Sequence, residues 1–259
     1  MICRTLLVFF FLSSLKPVFS QIVNIENRRI YDDTLGWSGA LDGNLSVMQN
    51  KEILVNGGFR PRVQYKTRKH YFLLLTDLFY SKAPGKVYAN SGMAHLRYAW
   101  RFASKSESRK SPWKWESYTQ VQYNQLLDQR LRALLGTGLR CKVADNEKWR
   151  VFLGSSAFFE HEELQSSNLV IEGVRWSNYF SFFASLSKEL TMTSIIYVQP
   201  LVNNFSDYRF MGQFTLSVNV FKRADLRFEF SHFYDAFPPV GVRNFIFNGS
   251  MGFRVRLGE

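Results

Sequence analysis

The stretch DQRLRALLGTGLRCKVAD, Asp128–Asp145, decides the fold. Leu131, Ala133, Leu135, Thr137, Leu139, Cys141 and Val143 share one parity; Arg130, Arg132, Gly136, Gly138, Arg140 and Lys142 share the other. Successive side chains point to opposite faces of a β-strand, so this is a strand with one apolar face and one face that carries the cations. From Leu131 to Val143 the rise is about 40 Å at roughly 3.3 Å per residue, which a tilt near ~40° brings close to a hydrocarbon thickness of ~30 Å. Soluble sandwiches also alternate, but their strands typically run only about 5–6 residues.

The same period returns along the chain. Trp37, Gly39, Leu41, Gly43, Leu45 and Val47 oppose Ser38, Asp42, Asn44 and Ser46, and Leu226, Phe228 and Phe230 oppose Arg227, Glu229 and Ser231. Phe245, Phe247, Met251, Phe253, Val255 and Leu257 oppose Asn244, Asn248, Ser250, Arg254 and Arg256. The apolar rows end at breaks rich in charge, Pro or Gly, near residues 48–52, 66–69, 81–86, 103–112, 127–129, 144–147, 161–168, 187–189, 203–207, 222–225 and 235–243. Eleven breaks predict about 12 strands of roughly 20 residues each, turn included, which suits strands with 9–11 membrane-embedded residues. Inside lipid every backbone polar group must pair within the protein, and only a closed barrel lets strands do so. The expected fold is therefore all-β, a closed antiparallel up-and-down transmembrane barrel. Three places resist: HYFLLLTDLFY (His70–Tyr80) is apolar on both parities, and Pro61 and Pro200 fall inside strands, where bulges are expected to absorb them.

Residues 1–20 read as a secretory signal, with Arg4, the apolar run Leu6–Leu12, then Val18, Phe19 and Ser20 before Gln21. That run is too short to span a bilayer as a helix. The expected organisation is a signal peptide at 1–20, a short periplasmic segment at 21–34 and a barrel at 35–259. Losing Arg4 and Lys16 would leave 31 cations against 21 acids, a net charge of +10. Cys3 would leave too, and Cys141 alone forms no intramolecular disulfide. Aromatic residues make up 17% of the chain, yet mean hydropathy is only −0.17. An exported chain is not expected to bind nucleic acid despite a pI near 9.8.

The start IVNIENRRIYDDTLGWSGALDGNLSVMQN (Ile22–Asn50), with Asp33-Thr34 leading into Gly36-Trp37-Ser38-Gly39, carries a likeness, as do the central LRALLGTGLRCKV and the end HFYDAFPPVGVRNFIFNGSMGFRVRL. Over essentially the whole mature chain the sequence resembles the salt-induced outer-membrane protein family, domain of unknown function 481, found in Gram-negative bacteria. The resemblance implies an outer-membrane β-barrel, with the lipid bilayer and the barrel-insertion machinery as partners. Its motifs are strand and turn patterns, so it transfers no substrate and marks no catalytic site. Such barrels often end on an aromatic residue read by the insertion machinery; here the end is Arg256-Leu257-Gly258-Glu259, so that either Phe253 stands in or the recognition signal is weaker.

Inward parity gathers Arg60, Arg62, Arg97, Arg132, Arg140, Arg150, Arg175, Arg209, Arg227 and Arg254, against Asp42, Glu116, Glu172 and Glu229. Two readings stay open. Such a lumen could concentrate small anionic solutes through guanidinium contacts and act as a passive channel. Equally, the arginines could bridge a narrow, filled interior and leave the protein a structural envelope role. Trp37, Trp100, Trp113, Trp115, Trp149 and Trp176 lie near strand ends or on outward parity, as interfacial girdles do. Cations in the turns (Lys66, Arg68, Lys69, Lys105, Arg109, Lys110, Lys188, Lys222 and Arg223) are candidate contacts for peptidoglycan, a periplasmic protein or anionic lipid.

An enzyme finds little footing. His70, His95, His161 and His232 lack metal-ligand spacing, HEEL at His161 lacks the second His of HExxH, and there is no G-x-S-x-G, so neither metal nor cofactor is expected. Gly136-Thr137-Gly138 lacks the third glycine of a nucleotide fingerprint and reads as close strand packing or a kink. The nearest approach to an outer-membrane lipid hydrolase is Ser231, His232 and Asp235, but Ser231 and His232 should point to opposite faces. A secreted soluble β-protein that binds a ligand is the other alternative.

Overall fold

A computed structural model describes residues 35–49, 53–102, 111–167, 169–239 and 241–257. The expected signal peptide and periplasmic segment, 1–34, lie outside them. The described residues form twelve strands: β1 (Gly36–Gln49), β2 (Ile53–Lys66), β3 (His70–Ala83), β4 (Lys86–Arg101), β5 (Trp113–Asn124), β6 (Gln129–Asp145), β7 (Trp149–Leu164), β8 (Val170–Ser185), β9 (Leu190–Leu201), β10 (Asn204–Phe221), β11 (Ala224–Asp235) and β12 (Phe245–Leu257). Each pairs antiparallel with its neighbours in sequence, and β12 returns to β1 to close the barrel. Every connection overlaps a break read from the sequence.

The barrel is turned inside out relative to a soluble protein. In β6, Leu135 (68% exposed) and Val143 (58%) face outward while Arg132 (2%) and Arg140 (4%) are buried within. The same holds around the wall, with Leu45, Phe59, Leu153, Phe159, Phe180, Phe247 and Met251 exposed outside. A soluble monomer rarely shows a contiguous apolar patch above a few hundred Å², whereas lipid solvates such a surface without cost. Arg130 departs from the expected inward row: the β6–β7 register shifts between Gln129 and Leu131, and Arg130 is left exposed, paired with Glu163 at 2.6 Å.

β3 explains its two-sided apolar sequence. Odd residues Tyr71, Leu73 and Leu75 point inward and pack with Met93 and Ala99, while Phe72, Leu74 and Leu78 face out. The strand is regular through this stretch, so the interior takes apolar side chains here as well as charged ones. Pro61 differs from expectation: pairing resumes from Phe59↔Leu78 to Arg62↔Leu75 in the same register, so no bulge forms there. Pro200 pairs with Tyr208 beside a register shift at the β9–β10 turn, as expected.

The start of β1 and the end of β12 lie together, Gly39 opposite Leu257, and define a termini end. Arg68, Lys69, Lys188, Lys222 and Arg223 sit in turns at that end, and Lys66 closes β2 there. Lys105, Arg109 and Lys110 lie outside the described residues.

Candidate functional site

Parity sends the strand arginines inward, and three groups of ion pairs result. The first centres on Glu160 of β7. Arg132 of β6 donates to it, Arg175 of β8 lies at 3.1 Å and Arg209 of β10 at 2.8 Å. Arg209 also meets Glu162 at 3.0 Å and Asp235 at 2.9 Å, and Arg175 meets Asp207 at 3.0 Å. The second centres on Asp42 of β1, with Arg62 at 3.4 Å, Arg227 at 3.1 Å and Arg254 at 2.9 Å; Arg60 extends it to Asp77 (3.4 Å) and Glu229 (2.8 Å). In the third, Glu116 takes Arg97 at 2.9 Å and Arg140 at 3.7 Å. Arg150 lies over the Phe183 ring at 4.6 Å.

Arg209–Glu160 joins strands three positions apart in the wall, as does Arg60–Glu229. Such pairs are chords across the lumen, not rungs along its lining. Apolar packing accompanies them: Tyr179, Ile195, Tyr197, Met211, Phe233 and Ile246 form an inward cluster against which Val242, from the β11–β12 connection, also packs. Between the charged groups lies a cavity of about 40 Å³ bordered by His95, Arg97, Gln120, Arg132 and Gln199, room for a few water molecules.

All ten arginines expected to face the lumen take inward positions, as do Asp42, Glu116 and Glu229. Glu172 does not. β8 runs without a break from Val170, so Glu172 and the inward Arg175, three residues apart, must point to opposite faces; Glu172 bonds His161 at 2.7 Å on the outside. Lumenal acids remain fewer than the arginines, but by less than expected, because Asp77, Glu160, Glu162, Asp207 and Asp235 join them. Residues 161–168 and 203–207 read as breaks, yet β7 continues to Leu164 and β10 begins at Asn204. The parity that places Arg150 and Arg209 inward would have found Glu160, Glu162 and Asp207.

The six tryptophans are all exposed on the outer wall, five close to the termini end and Trp176 further along β8. Two carry their polar handle into lipid satisfied, Trp115 Nε1 on Ser117 Oγ (3.1 Å) and Trp176 Nε1 on Ser155 Oγ (2.9 Å). Ser231 points inward, His232 stacks outside between Phe210 and Phe245, and Asp235 holds Arg209, so the three do not converge.

Apolar outside, ion-paired inside and closed by twelve strands, the molecule is a transmembrane β-barrel of the outer-membrane type. The chain belongs to the family described as protein of unknown function, DUF481, whose model matches residues 54–251. Among solved structures it is similar to the NanC porin, at 9% identity and a TM-score of 0.53 over 86% of this chain and 100% of that one. It is also similar to an outer membrane channel from Pseudomonas putida F1, at 11% identity and a TM-score of 0.51 over 86% and 96%. No curated protein sequence matches it.

Proposed function

We propose that this is an outer-membrane barrel whose lumen is held shut by its own side chains, a structural envelope protein and not an open pore. The observation that carries this reading is the pair of chords, Arg209–Glu160, buried, and Arg60–Glu229, half-buried. Among the described residues nine arginines meet eight carboxylates in the three groups, and with Arg150, which lies over Phe183, the inward arginines exceed those carboxylates by two. That small surplus makes anions the favoured species in any residual leak. The outer-membrane setting is supported by the lipid-facing wall and by the barrels it resembles.

Planar lipid bilayers test the reading. Under symmetric salt and a held voltage the wild-type barrel stays silent, while Glu160→Ala combined with Arg209→Ser, which removes one chord, gives discrete conductance steps. Steady unit conductance from the wild type would overturn it.

A further inference from the structure

The barrel closes unevenly. β1 pairs with β2 from Gly36↔Lys66 to Gln49↔Ile53, and β12 pairs with β11 from Ala224↔Val255 to Tyr234↔Phe245. Across the seam, β1 and β12 pair only from Gly39↔Leu257 to Gly43↔Phe253. Among the described residues, 44–49 and 245–252 form no ladder with each other. At roughly 3.3 Å per residue this leaves a wedge about 20 Å long, open toward the end away from the termini. Two strand edges facing lipid without partners cost several kcal/mol for each unsatisfied group, so the wedge calls for an occupant with polar atoms of its own.

Glycine draws the strands together at the apex: a Cβ on Gly252 would lie 3.1 Å from the Gly43 carbonyl oxygen. A Cβ on Gly249, further out, would first meet Phe230 and Phe247 of its own side of the seam. At the apex sits a recess of about 20 Å³, bordered by Asp42, Arg60, Arg227 and Glu229 from the lumen and by Met251 and Phe253 from the lipid side. Among the described residues the ion pairs behind it join four arginines, Arg60, Arg62, Arg227 and Arg254, to three carboxylates, Asp42, Asp77 and Glu229, a surplus of one positive charge. Arg227 bridges Asp42 (3.1 Å) and Glu229 (2.6 Å), and its Nε, like Nη2 of Arg254 behind the recess, is buried without a hydrogen-bond acceptor. Leu45 (76% exposed) and Met251 (61%) form apolar lips on either side of the wedge.

We propose that the β1–β12 seam is a lateral binding site for an anionic amphiphile. Its single phosphate or carboxylate head enters the recess at the apex against Arg227, with Arg254 behind it, and its hydrocarbon tail leaves between Leu45 and Met251 into the bilayer. The charge surplus and the open donors select an anion, the lips select a tail, and the small recess excludes bulky heads. The proposal rests on the membrane-spanning reading but not on whether the lumen conducts.

The test is native mass spectrometry of the barrel released from phosphatidylcholine nanodiscs charged with dodecyl phosphate, dodecanol or inorganic phosphate. An adduct is expected with dodecyl phosphate alone, weakened at least about ten-fold in Arg227→Gln/Arg254→Gln. Ser250→Phe, which fills the recess without removing a charged group, is expected to do the same and carries the test if the arginine variant does not fold. Heat-dependent gel mobility, run on each variant, reports separately whether the membrane barrel has formed. Phosphate binding alone would assign the recess to free anions, equal dodecanol binding would make it merely greasy, and a dimer mass would put a second copy's strand in the wedge. Any of these, or an adduct unchanged in both variants, overturns the proposal.

Discussion

Glu160 is the residue on which the interior turns, because three buried arginines converge on one carboxylate. Removing one partner of a buried ion pair strands the others, so Glu160→Ala is expected to lower stability by about 3–5 kcal/mol, read as the urea midpoint of the barrel in micelles. Gly136 makes a second residue-scale case. A Cβ there would lie 2.5 Å from the Tyr118 ring and 2.7 Å from Phe158 Cβ, so Gly136→Val should cost roughly 1–3 kcal/mol in the same assay, while Thr137→Val beside it on the outer face should cost less. The glycine pair in GTG was legible as close strand packing or a kink; which of the two, and which ring filled the space, was not, since Tyr118 arrives from another strand. The inward arginines were likewise legible from parity. Glu162, Asp207 and Asp235 were missed because charged runs at strand ends look like turns, although a lumen admits charge along the whole strand; Asp77 lies in the stretch whose two apolar parities hide which face is inward.

At the scale of the element, β6 and β3 read very differently from sequence. β6 alternates so regularly that its outward and inward faces follow from the letters alone, apart from the shift that frees Arg130. β3 did not declare its faces, because an apolar side chain suits both lipid and a packed interior and hydropathy cannot tell the two apart. Burial does: Leu75 is fully buried and Leu74 is 48% exposed to the outside. Leu75→Ala is therefore expected to destabilise by about 2–5 kcal/mol, and Leu74→Ala, which keeps lipid contact, by less than about 1 kcal/mol; equal losses would place both in one core. On β6, Leu135→Arg should cost about 2–4 kcal/mol in a bilayer, the penalty of a charge near the midplane of a barrel's lipid face.

Strand number and closure were legible for the whole molecule because they need only a count of breaks and the demand that backbone in lipid be paired. The state of the lumen was not, since it depends on which inward side chains meet across strands three apart, and that is set by stagger that no single strand encodes. The same holds for the short β1–β12 seam, which joins the two ends of the chain. The apolar row of β6 faces lipid while the charged row faces a closed interior. Spin labels placed singly at positions 131–143 of a Cys141→Ser barrel in bilayers test it most directly. Odd positions should be relaxed strongly by oxygen dissolved in lipid, and even positions weakly by both oxygen and a water-soluble nickel chelate. Odd positions shielded from oxygen, with even positions open to nickel, would contradict the account.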